Sequence, residues 1–105
     1  MALAARSMGV VIKPRMLSAD APPALPPPLR ALWFDARGDW SAAHKCVDQL
    51  SDPDGMWVHA YLHRKEGDLS NAAYWYRRAQ REPHRGALDD EWREIAKALL
   101  SQAAP

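Results

Sequence analysis

The chain has 105 residues, 14 lysines and arginines against 13 acids, and a single cysteine, Cys46. That length holds one modest domain, and a net charge of +1 gives no drive toward nucleic acid or an anionic membrane surface. A lone cysteine excludes an internal disulfide and fits a reducing, cytoplasmic setting, and no apolar run reaches the about 18–20 residues of a membrane span.

Five of the nine prolines fall between Pro22 and Pro28. Such a run favours extended polyproline II, so residues 1–27 are expected to be a disordered, Pro-rich tail and residues 28–105 the folded domain. From Pro28 onward the apolar residues recur at helical spacing with no strand-like alternation, which predicts an all-α fold of about five helices. The first spans about 28–37, opened by proline in its first turn. The second spans about 39–50, with Ala43, Cys46, Val47 and Leu50 on one stripe. Ser51-Asp52-Pro53-Asp54 then reads as a helix start: a capping residue, proline, and an acid at the positive end of the dipole. The third helix runs about 53–66. The fourth, about 68–82, carries Ala72, Tyr76 and Ala79 inside and meets Pro83. The fifth, about 87–102, places Trp92, Ile95, Ala96, Leu99 and Leu100 inside and opens with three acids.

One phrase occurs twice. Gly38-Asp39-Trp40-Ser41-Ala42-Ala43 returns as Gly67-Asp68-Leu69-Ser70-Asn71-Ala72, each copy closing one helix and opening the next. Glycine leaves a helix with positive φ, aspartate caps the following one, and a small alanine allows close helix approach. These features resemble a tetratricopeptide (TPR) repeat. Residues 53–83 align as one full unit through Ala60, Gly67, Asp68, Ala72, Tyr76, Ala79 and Pro83. Residues 28–52 resemble a shortened unit, through Phe34, Gly38, Asp39, Ala43, Val47 and Asp52-Pro53. Trp92, Ile95, Ala96 and Leu99 match the first helix of a third. The stretch 71–79 is also similar to Sel1-like repeats. The two glycines stand closer together than the about 34 residues of a regular TPR, so the first hairpin is degenerate. The resemblance implies two antiparallel hairpins plus a C-terminal capping helix.

It also implies a function, protein interaction. TPR-like proteins take peptides on the face formed by the first helix of each hairpin, which here would expose Asp54, Trp57, Val58, Tyr61, Arg64 and Lys65. Trp57, Tyr61, Arg64 and Lys65 are the expected contacts for a peptide or partner protein, an acidic one suiting the cations. Arg77 and Arg81, with Arg85 four residues further on, form an assisting basic ridge. Two hairpins make a short stack, marginal in stability. A homodimer or docking on a larger partner would remedy this, with Trp33 and Trp40 as contacts.

The alternative is a small-molecule or metal site. His59 and His63, four apart, project from one face of the third helix and suit a metal ion. Ala60 stands where a metalloprotease needs its glutamate; His44 and Cys46, the other candidate ligands, lie off standard spacings. TPR-like packing would instead bury both rings against neighbours such as Tyr74, Tyr76, Asp54 or Glu66. No nucleophile arrangement, phosphate-cradling loop or cofactor motif points to an enzyme.

Overall fold

A computed structural model describes residues 24–103. Among these residues the fold is all-α: α1 (Pro27–Ala36), α2 (Trp40–Val47), α3 (Pro53–Lys65), α4 (Leu69–Arg78) and α5 (Leu88–Ala103). The expected disordered tail falls mostly outside the described residues. Its last part is corrected, because Pro27 and Pro28 are the first two residues of α1. Those positions need no amide hydrogen, and proline's fixed φ is already helical there. Extended backbone is seen one residue earlier, at Pro26 (φ −57°, ψ 153°).

The repeated phrase builds the same joint twice. Gly38 (φ 81°) and Gly67 (φ 90°) take the left-handed conformation that ends α1 and α3. In each joint a pair of amides returns to the last turn: Asp39 N to Phe34 O and Gly38 N to Asp35 O, then Asp68 N to His63 O and Gly67 N to Arg64 O. This is the two-bond C-terminal closure of a helix. The same aspartate then caps the helix that follows, Asp39 accepting from Ala42 N and Asp68 from Asn71 N. Two residues thus end one helix and start another, and α1 pairs with α2 and α3 with α4 as two hairpins.

A third closure of this type falls where the sequence offers no glycine. Gln80 takes φ 61°, with Gln80 N bonded to Arg77 O and Arg81 N to Tyr76 O. The fourth helix therefore ends at Arg78 and not near residue 82. Pro83 cannot continue a helix and biases Glu82 away from helical backbone, so the chain leaves α4 before reaching them.

The hairpins join through α2 and α3, and α5 lies across α1 and α3. This makes α3 the central element, buried at every residue from Gly55 to His63. A helix covered on all sides is apolar or aromatic around its whole circumference, as Met56, Trp57, Val58, Ala60, Tyr61 and Leu62 are. Leu32, Val47, Val58, Leu62, Tyr76 and Ile95 form the most deeply buried part of the core, each worth about 1.5–3 kcal/mol in apolar burial. Trp92 fixes α5 by donating from Nε1 to Leu32 O at 3.2 Å.

Candidate functional site

The expected peptide-binding face is filled by the chain itself. α5 covers it, so Trp57, Val58 and Tyr61 are buried, at 3%, 0% and 2% exposure, and cannot meet a partner. The expectation that this face is open is thereby corrected. The reason is that the last helix folds back over the first helices of both hairpins instead of extending the stack. The cations of this face are used internally. Arg64 Nη1 donates to Glu91 Oε1 at 2.9 Å, its Nη2 donates to Gly86 O, and Tyr76 donates its hydroxyl to Glu91 Oε2 at 2.5 Å. On the α1 side, Tyr61 donates to Asp35 Oδ2 at 2.7 Å and Lys65 Nζ to Asp35 Oδ1 at 2.8 Å. Each buried carboxylate thus receives one phenol and one cation. Burial, then the hydrogen bond to the carboxylate, pushes both tyrosine hydroxyls well above their ordinary range.

Trp33 and Trp40, the expected dimer contacts, both take part in the chain's own packing, Trp33 buried and Trp40 partly exposed. Trp33 is 4% exposed beneath the Arg37 guanidinium. Trp40 donates from Nε1 to Leu62 O at 2.8 Å.

The basic ridge is broken by the early end of α4, which leaves Arg81 and Arg85 beyond the helix. Arg77 and Arg81 instead line a surface cleft of about 410 Å³ with Ala73, Tyr76, Gln80, Glu82 and Pro83. Arg81 lays its guanidinium over the Trp57 ring, 3.4 Å from the centroid. Among the described residues, neither arginine is paired with a carboxylate, in contrast to Arg64 and Lys65.

The densest chemistry lies between the hairpins. His59 and His63 from α3 meet His44 from α2, and one ring nitrogen from each lies within 4.8 Å of the other two. His44 Nε2 and His59 Nε2 are 3.1 Å apart, a hydrogen-bond separation requiring one ring to donate and the other to accept. His63 Nδ1 is 2.6 Å from Glu66 Oε2, and His44 Nδ1 is 3.9 Å from Asp48 Oδ2. Two indoles hold the rings: Trp40 stacks on His44 at 4.8 Å between centroids and 9° between planes, and Trp75 on His59 at 4.0 Å and 23°. Trp75 forms a wall of this cluster, and Tyr74 is exposed. His59 and His63 are buried, as TPR-like packing implied, while His44 stays partly exposed. Of the bonds expected for the pair, Glu66 to His63 is present; His59 bonds to His44 and not to a tyrosine. His59 Nδ1 is buried with no hydrogen-bond partner. Burial, followed by the neighbouring imidazoles, lowers the pKa of His59 to about 4. Burial and His63 also lower that of His44, against the pull of Asp48.

Cys46, the other candidate third ligand, is not part of this cluster. It packs partly buried against the core, and burial raises its thiol pKa. His44 was hard to weigh from sequence because it reaches His59 from another helix, 15 residues away. The available signal was its place one turn after Trp40 on α2. Compared with models of known protein families, with curated proteins and with solved structures, the chain matches none. No helix among the described residues is long and apolar enough to cross a membrane.

Proposed function

We propose that the chain is a small TPR-like hairpin module that acts by binding, and that it receives an acidic segment of a partner protein at the C-terminal end of α4. One observation carries this reading. Of the cations singled out by the sequence, Arg64 and Lys65 are committed to buried carboxylates, whereas Arg77 and Arg81 line an open cleft and form no ion pair among the described residues. Two planar guanidiniums beside the Tyr76 edge suit a carboxylate-bearing peptide, because arginine offers paired donors in a fixed fork. Arg81 is held in place by the Trp57 ring, so less side-chain freedom is lost on binding.

The test is fluorescence anisotropy of a labelled glutamate-rich peptide with the tag-free chain. Exposed ion pairs contribute about 0.2–1 kcal/mol each, so replacing both Arg77 and Arg81 with alanine should weaken binding about tenfold. Added salt should weaken it further, as expected for solvent-exposed charges. Failure of the wild-type chain to bind, or unchanged binding by the double variant, overturns the reading.

A further inference from the structure

We propose that His44, His59 and His63 form a three-imidazole site for a divalent transition-metal ion of the zinc, copper or nickel class, bridging the two hairpins. The site is independent of the arginine cleft.

Geometry comes first. In a tetrahedral site with metal–nitrogen bonds of about 2.0–2.1 Å, neighbouring ligand atoms sit about 3.3 Å apart. The His44–His59 edge is already 3.1 Å. The remaining edges lie under 4.8 Å and close by about 1.5 Å at most, through ring rotation at His63 as well as at the partly exposed His44.

The outer contacts agree with this. Ligating imidazoles commonly donate their second ring N–H to a carboxylate, which fixes the tautomer and points the other nitrogen at the metal. His63 Nδ1 donates to Glu66 in this way, leaving Nε2 as ligand, and Asp48 stands on the corresponding side of His44. His59 has no such partner and is oriented by the Trp75 indole.

The hydrogen bonding also fits. As a hydrogen-bonded cluster the arrangement is incomplete, since His44 and His59 must share one hydrogen while His59 Nδ1 has no partner. Three imidazoles without an inner carboxylate suit zinc, copper or nickel and disfavour magnesium and calcium. The partial exposure of His44 leaves the fourth position to water.

The test uses the tag-free full chain, titrated with zinc chloride by calorimetry and with copper(II) or nickel(II) by tryptophan fluorescence. Trp40 and Trp75 stack directly on two ligands, so a paramagnetic ion should quench them. The expected result is uptake of one ion per chain. His44→Gln, at the solvent edge, should keep the helical circular-dichroism spectrum and weaken uptake at least 100-fold. Glu66→Gln should weaken it about 10–100-fold, the usual effect of removing an outer carboxylate. His84→Ala, outside the cluster, should bind as wild type. No uptake by the wild-type chain at micromolar metal, or wild-type affinity in a folded His44→Gln variant, overturns the proposal.

Discussion

On one side of α3, Tyr61, Arg64 and Lys65 meet two buried carboxylates, Asp35 and Glu91; on the other, His59 and His63 meet a third imidazole, His44. Both sides bury polar groups in a small core, but they satisfy them differently. Asp35 and Glu91 each have a phenol on one oxygen and a cation on the other, so these charges are balanced within the fold. On the imidazole side three bases converge, Glu66 and Asp48 reach only the outer nitrogens of His63 and His44, and His59 Nδ1 has no partner. A balanced buried network specifies how helices dock. An unbalanced one carries an energetic penalty in the free protein and is the natural place for a ligand.

The comparison breaks most readily at Glu91. This side chain is 1% exposed and joins α5 to both helices of the second hairpin. Glu91→Ala leaves Arg64 without its acid and the Tyr76 hydroxyl without its acceptor, and removing one member of a buried pair costs about 3–5 kcal/mol. That is a large share of the stability of a small domain. Urea unfolding followed by circular dichroism should show the midpoint falling sharply. A loss below about 1 kcal/mol would mean that α5 is held by apolar contacts alone and that the carboxylate side is not the structural one.

Alkali attacks the same side by another route. In the unfolded chain the phenols of Tyr61 and Tyr76 ionise near pH 10, whereas in the fold both are raised by burial and by their carboxylates. Their contribution is therefore complete below pH 10 and is lost as pH rises, by at most about 1.4 kcal/mol per pH unit for each tyrosine. Phenolate absorbance of these two residues should appear together with loss of helicity. If more than one of the three tyrosines ionises while the helical spectrum is still native, the buried phenol–carboxylate pairs do not exist as described.

The sequence displayed the joints of this fold better than its faces. Gly38-Asp39 and Gly67-Asp68 act through their own backbone and capping chemistry, so their role could be read locally. Gln80 could not, because nothing about glutamine announces a left-handed residue; the early end of α4 reflects Pro83 and the packing of Arg81 on Trp57. The faces of α3 were less legible still. A helix that is apolar all round has no solvent side to identify, and its TPR-like resemblance placed a groove where α5 now lies. The histidine pair was visible from its spacing, but its third member depends on the docking of α2 against α3, a tertiary fact. The all-α architecture followed from helical periodicity that needs no such docking.

The finest test of the comparison is to remove the unsatisfied imidazole nitrogen. His59→Leu replaces a 3% exposed imidazole with an apolar side chain of similar volume. It takes away the nitrogen without a partner and the hydrogen His59 shares with His44, and leaves the Trp75 stacking surface against an aliphatic neighbour. Losing an unsatisfied buried polar atom is favourable, while losing the imidazole–indole stack is not. Because apolar replacement of imperfectly satisfied polar groups is often neutral or stabilising, the metal-free protein should gain about 1 kcal/mol. The same variant should no longer take up zinc. Gain of stability with loss of binding is the signature of residues kept for a ligand at the expense of the fold. A loss of more than about 2 kcal/mol in metal-free buffer would instead make His59 an architectural residue, and would place both sides of α3 in the same category.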